Sequence, residues 1–377
     1  MSDNASDDVC QLIKLRNQAA HLMINSDEGV PLVRLGLITT LYFKNGHTAQ
    51  AKLRIAECFS RFRHAFKREL RWQFHRTLFR LNDGNFGYRR KLVRTSSVDE
   101  QLIWAISSGT LQEVAGYRMF VMNVPDGLAD IDCSCLKMVL PWSILLSPDG
   151  PRRYEEWLNY LCGQLNADHG FGGLACILPH DGQHCFALEQ RLAQRYIGLM
   201  VDPMPQIESL RLLNHIKGAN WYTVLGQRFV KQLGGNDAVR RQLSGCREVE
   251  FQTYDDGLII RAGALPVLGG DAQDSLAAYV EVNRVIRPIR VSGGCLHPFL
   301  VNGGGGFCEA SSAQWYARFD DKPVPPLFAG QACTRDGYWF NSSAAGSRCV
   351  FRTGEIMPTL GPSNGKRTQW FWLKATH

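Results

Sequence analysis

Reactive side chains do chemistry only when their spacing lets them meet, and this chain offers few such sets. Gly361-Pro362-Ser363-Asn364-Gly365 carries the Gly-x-Ser-x-Gly lettering of a serine-hydrolase elbow. That elbow leaves a strand, enters a helix and has acid and His partners downstream; here the only downstream His is His377, so the stretch reads as a surface turn. Gly170-Phe171-Gly172-Gly173-Leu174-Ala175 fits a loose dinucleotide fingerprint. It stands ahead of a strand, however, and not between strand and helix, where a helix N-terminus could take a pyrophosphate. The glycine run 303–306 lacks the following Gly-Lys-Ser/Thr of a phosphate loop.

Metal ligation is no better supported. His180-x-x-x-His184-Cys185 and Cys133-x-Cys135 offer the imidazoles and thiolates that zinc takes. They are separated in sequence and no Cys-x-x-Cys pair exists, so buried thiols and a helix-capping His are the simpler reading. No His or carboxylate pair stands in a context that would tune it for acid/base work. The expectation is a protein that is not an enzyme, with no catalytic residues, no cofactor and no metal.

Charge supplies the other candidate. Residues 50–94 hold thirteen Lys or Arg against Glu57, Glu69 and Asp83, a local excess larger than the +7 of the whole chain. Ile55, Phe59, Phe62, Phe66 and Leu70 recur at helical spacing, with Arg54, Arg61 and Arg68 on another face. Interleaved Trp72, Phe74, His75 and Tyr88 would suit nucleic acid. The preferred reading is plainer: a solvated helix face whose arginines pair with acidic residues elsewhere.

Elements must position these residues. At 377 residues and 45% apolar, the chain is long enough for two or three domains with a packed core. No window reaches the roughly 18 apolar residues of a membrane helix. The acidic start, with Asp3, Asp7 and Asp8, is unlike a secretory signal, and twelve dispersed Cys suggest reduced thiols. The expected location is the cytoplasm. Alternation predicts a strand over 31–44 ending at Asn45-Gly46, a helix capped by Thr48, and a less regular stretch to about residue 110. Strands follow at 113–123 and 134–140, then a helix opened by Asp149 and Pro151, and a strand at 172–178. Residues 184–245 look mainly helical, and 248–254 with 258–262 form a hairpin across Asp255-Asp256-Gly257. The fold class is α+β, a mixed or antiparallel sheet layered with helices. The units are an N-terminal segment 1–29, the α+β body 30–292, and a loop-rich connection with a small β-rich module at 293–377, where Trp339, Trp370 and Trp372 fall at strand-like positions.

Asn45-Gly46-His47-Thr48, Ile55-Ala56-Glu57-Cys58-Phe59, Pro141-Trp142-Ser143, His169-Gly170-Phe171-Gly172-Gly173-Leu174, Arg287-Pro288-Ile289-Arg290 and above all Ile216-Lys217-Gly218-Ala219-Asn220-Trp221-Tyr222-Thr223-Val224-Leu225 resemble the DUF3396 family of type VI secretion immunity proteins. The likeness runs from about residue 30 to 292. Gly330-Gln331-Ala332-Cys333, Gly337-Tyr338-Trp339 and Gly354-Glu355-Ile356-Met357-Pro358 resemble a small module appended to antibacterial immunity proteins, with Thr334 where that module usually has Pro. The resemblance implies a partner: a cognate nuclease effector toxin, VRR-NUC or restriction-endonuclease-like, bound and neutralised in the cytosol by occluding its active site or disrupting its assembly. The motif residues themselves read as scaffold; Lys217 could be a charged partner, but such a lysine more often keeps its ammonium at the surface. Toxins that cleave nucleic acid are basic around their substrate groove, so Asp255, Asp256, Asp320 and Asp321 are the candidate contacts, although ordinary turn chemistry also explains both pairs. The alternative is a nucleic-acid-binding protein or nucleic-acid enzyme using the basic 50–94 segment.

Overall fold

The computed structural model describes residues 2–270, 274–291, 293–297, 305–320, 327–341, 348–359 and 368–374. The N-terminal segment carries a helix, α1 (Ser2–His21), and a short strand, β1 (Ile24–Asn25). They precede β2 (Pro31–Phe43), buried along nearly its whole length. Val33, Leu35, Leu37, Leu41 and Phe43 face one core while Ile38 and Tyr42 face a second, as period-two alternation requires. Asn45 turns the chain in the left-handed conformation (φ 58°). Thr48 Oγ accepts the Ala51 N–H, so α2 (Ala49–Ala65) begins at its cap.

The stretch expected to be irregular holds a hairpin, β3 (Trp72–His75) and β4 (Thr77–Arg80), then α3 (Asp83–Thr95) and β5 (Leu102–Ser107). Each hairpin strand has four residues, most of them partly or fully exposed, too few for alternation to show. β6 (Arg118–Asn123) and β7 (Ser134–Pro141) follow as expected, and α4 (Gly150–Leu165) turns Trp157, Leu158, Leu161 and Leu165 inward. β8 (His169–Ile177) contains the Gly170–Gly173 run. Its glycines serve packing: a Cβ on Gly172 would lie 2.3 Å from the Tyr154 hydroxyl, and one on Gly170 would lie 2.4 Å from the Thr40 carbonyl.

Residues 184–245 contain α5 (Phe186–Arg195), α6 (Pro205–Leu212), α7 (Gln227–Gln232) and α8 (Asn236–Leu243). They also contain β9 (Tyr222–Leu225), whose four residues are all buried, so no alternation marks it. β10 (Val249–Tyr254) and β11 (Gly257–Ala262) form the expected hairpin, with Tyr254 opposite Gly257. The positive φ falls on Asp255 (40°) and not on Gly257; the glycine instead makes room for the Tyr254 ring, 2.3 Å from where a Cβ would sit. α9 (Ala277–Ile286) and α10 (Glu309–Tyr316) complete the body.

Among the described residues, eleven strands make one sheet in the order β10-β11-β9-β8-β2-β7-β6-β5-β3-β4, with β1 beside β2. Every pairing is antiparallel, and helices pack in layers on it, an α+β fold. Trp315 and Tyr316 of α10 lie in the second core with Ile38 and Phe171, and Phe319 lies in the first. The body therefore continues past the composition change near residue 293. Beyond it, β12 (Leu327–Phe328), β13 (Gly337–Asn341), β14 (Arg348–Phe351) and β15 (Gln369–Lys374) form a sheet ordered β12-β15-β13-β14 around Trp339, Met357 and Trp370. The elbow-like stretch 361–365 lies outside the described residues. Among those described, no helix is long and apolar enough to cross a membrane.

Candidate partner interface

The most specific sequence string, Ile216 to Leu225, places a charge inside the protein. Lys217 is not a surface ammonium: it is buried between Asp202, 2.9 Å away, and Glu208. The backbone forces this. Ile216 is pinned by hydrogen bonds to Ile289 and Val291, and Gly218 takes a positive φ of 144° that favours glycine. Lys137 of β7 also pairs with Asp202, at 3.1 Å, and the Thr40 hydroxyl donates to the same carboxylate at 2.7 Å. Burial pushes Asp202 up, but the two lysines and Thr40 outweigh it and leave its carboxyl below the usual range. At Glu208 burial prevails and the carboxyl ends above its ordinary value despite Lys217. Two ammoniums and two carboxylates close on one another, tying α6 and the 216–222 loop to β2 and β7. This is a structural fastener, and its gain is position more than net energy.

The other sequence candidates are equally committed. Cys133 donates to the Ser209 carbonyl at 3.3 Å, and burial pushes the Cys133 and Cys135 thiols far up. His180 accepts from Arg118. A pair missed by sequence reasoning, His297 and Glu189, meets at 2.8 Å with both side chains fully buried. The His297 Nδ1 accepts the Phe307 N–H, so its Nε2–H donates to Glu189. With 108 positions between them, no local signal could have announced the pair.

Of the proposed contacts, Asp255 and Asp256 stand exposed at the tip of the β10–β11 hairpin. Glu248 and Glu250 are exposed on the same hairpin, beside a groove of about 980 Å³ between β11 and α1 that Asp7 and Asp8 also line. β10 is an edge strand, and acidic side chains there also discourage edge-to-edge pairing. Asp320 is instead tied to Arg290 at 2.8 Å and to Asn283 at 2.9 Å. Asp321 lies outside the described residues.

The basic segment divides in two. Lys52 caps α3 through the Ser96 and Ser97 carbonyls, and Arg54 caps α4 through the Gly163 and Gln164 carbonyls. Arg61 lies 3.9 Å from the Tyr160 ring centroid, Arg63 pairs with Asp83, and Arg89 is buried against His75 and Ile103. Most of these partners are carbonyls and rings, not the acids expected. Arg68, Arg71, Arg76, Arg80, Arg90, Lys91 and Arg94 remain exposed with Phe79 and Tyr88.

No curated protein matches the chain. A solved T6SS protein of Pseudomonas aeruginosa, PA0821, is 26% identical and superposes with a TM-score of 0.70, covering 83% of this chain and 92% of its own. The family model TsiV, described as type VI immunity for VRR-NUC, matches residues 54–319, a range that spans all but the first residues of the basic segment, the buried ion cluster and the acidic hairpin. The protein is thus a member of the TsiV family of type VI immunity proteins, whose partner is a cognate VRR-NUC nuclease effector.

Proposed function

We propose that the chain neutralises its effector in the cytoplasm by stoichiometric binding and transforms no substrate. Membership of the TsiV family carries this reading. The chemistry agrees: the strongest polar clusters, Lys217 with Asp202 and His297 with Glu189, are buried and spent on one another. The contact surface proposed is the acidic hairpin, where Asp255 and Asp256 would meet the basic rim of a nucleic-acid groove; occlusion of that groove and disruption of effector assembly are both served by such a contact. Asp321 is kept as a lesser candidate, whereas Asp320 is held by Arg290.

Retention of the effector on the immobilised full chain tests the reading, and the double charge reversal Asp255→Lys with Asp256→Lys tests the surface. We expect the effector to be retained by the wild type, and the reversal to slow association about tenfold while leaving the melting temperature unchanged. No retention by the wild type contradicts the function; an unchanged association rate contradicts the surface. The exposed cations of residues 68–94 favour nucleic-acid binding as a second reading. It requires an affinity for duplex or single strand that falls steeply with salt when no effector is present.

A further inference from the structure

The sheet is not covered evenly. On the face that carries the second core, α6 lies over β2 and β7, and Trp315 and Tyr316 of α10 join the same core. Towards the β3–β4 end, Trp72, Phe74 and Leu78 of the same face line a small hollow of about 10 Å³. Arg118, the first residue of β6, stands where that hollow meets a larger cavity of about 50 Å³ between β6, β7 and the start of α6. Phe120, Val139, Ile177, Pro203 and Pro205 make most of its wall apolar.

Arg118 has the chemistry of an unfilled anion site. A guanidinium has five donors, and the described residues supply one acceptor, His180 Nδ1 at 2.9 Å. No carboxylate among them pairs with it; Lys137, the other cation of the cavity, is already taken by Asp202. Burial and then the Arg118 charge press His180 down to about 4, so at neutral pH the ring adds no charge; the exposed Asp181 favours the Arg118 charge through space but forms no ion pair with it among the described residues. A desolvated cation in an apolar wall is costly unless an anion completes it. The space admits about four waters, which is the size of a carboxylate and too small for a nucleotide. The flanking aromatic hollow offers the kind of anchor that protein interfaces build on.

We propose that this cavity takes an aspartate or glutamate side chain of the nuclease effector, paired to the Arg118 guanidinium, with the neighbouring effector residues seated on Trp72, Phe74 and Leu78. The inference rests on the immunity reading and adds a second contact, of opposite sign to the acidic hairpin. A bidentate carboxylate suits arginine and not lysine.

The test is effector affinity of the full chain carrying Arg118→Met or Arg118→Lys, with the thermal midpoint of each. The methionine variant should bind about tenfold to a hundredfold more weakly and the lysine variant should recover part of the loss. The midpoint should stay level or rise, because an unpaired cation has left an apolar wall. In the wild-type chain, the ring resonances of His180 should move when effector is added, a readout that needs no variant. Wild-type affinity in the methionine variant, or unmoved His180 resonances in a formed complex, overturns the proposal and leaves the immunity reading intact. Failure of the wild type itself to bind effector overturns both. Duplex DNA held by the wild type and released by Arg118→Met, with effector binding unchanged, would assign the cavity to a phosphate and overturn it too.

Discussion

A buried charge or ring is where this protein is most sensitive to a single change. His169, at the start of β8, is 1% exposed, donates from Nε2 to the Leu212 carbonyl at 2.8 Å and stacks on Tyr42. Burial presses its pKa down to about 4, whereas the unfolded chain titrates near 6.5. The unfolded state therefore binds more protons between these values, so the stability His169 confers is complete above about pH 6.5 and is lost as pH falls to about 4. The loss is on the order of 3 kcal/mol. Urea unfolding at pH 7 and pH 4.5 should show it, and His169→Phe should flatten the difference while lowering the value at pH 7. Lys217→Met leaves Asp202 and Glu208 buried without their shared cation. We expect it to cost about 3–5 kcal/mol, read as a lower urea midpoint; a change below 1 kcal/mol would show that the cluster is solvated. Neither residue was legible in the sequence. Lys217 finds Glu208 nine positions away and Asp202 fifteen, and nothing local distinguishes such a lysine from one at the surface.

Elements were legible in proportion to their length and to having a recognisable start or turn. β2, α2 and α4 each carry a long apolar pattern with a recognisable start, at Thr48 for α2 and Pro151 for α4. The β10–β11 hairpin was marked by its Asp-Asp-Gly turn. β3, β4 and β9 were not, because four residues contain too little alternation, and β9 is buried throughout. The Gly170–Gly173 run shows a motif's lettering without its context, as its place ahead of a strand indicated: its glycines let β8 lie against Tyr154 and β2 instead of cradling phosphate. Gly172→Ala tests this assignment. The added methyl would meet the Tyr154 hydroxyl, which donates to the Ile38 carbonyl at 2.6 Å, in a packed interior with no room to yield. A loss of about 1–3 kcal/mol is expected, and the companion change Tyr154→Phe should return part of it in the double variant.

For the whole molecule, the antiparallel sheet layered with helices was readable from the order of elements, since adjacent strands without a helix between them cannot make parallel crossovers. The extent of the body was not. Composition changes near residue 293, yet α10 completes the second core and the family match runs to residue 319; glycine and proline mark loops, and loops do not coincide with the edge of a core. Function was legible through family resemblance; the surface proposed to perform it was not, because a fold does not dictate the sequence of exposed turns and open faces, where proteins commonly place recognition residues. The molecule has exposed acids at one end of its sheet and exposed arginines towards the other. Opposite signs at separate sites give a partner orientation as well as affinity.

The central claim is inhibition by adhesion, and stoichiometry tests it most directly. Nuclease activity of a fixed, high concentration of the VRR-NUC effector is measured as the immunity protein is added in steps. The account predicts a linear fall that ends at a fixed whole-number ratio of the two chains, with intact effector recovered when the complex is separated. Complete loss of activity at a small fraction of that ratio, or effector that stays inactive after separation, would mean that the immunity protein acts as a catalyst and would contradict the account.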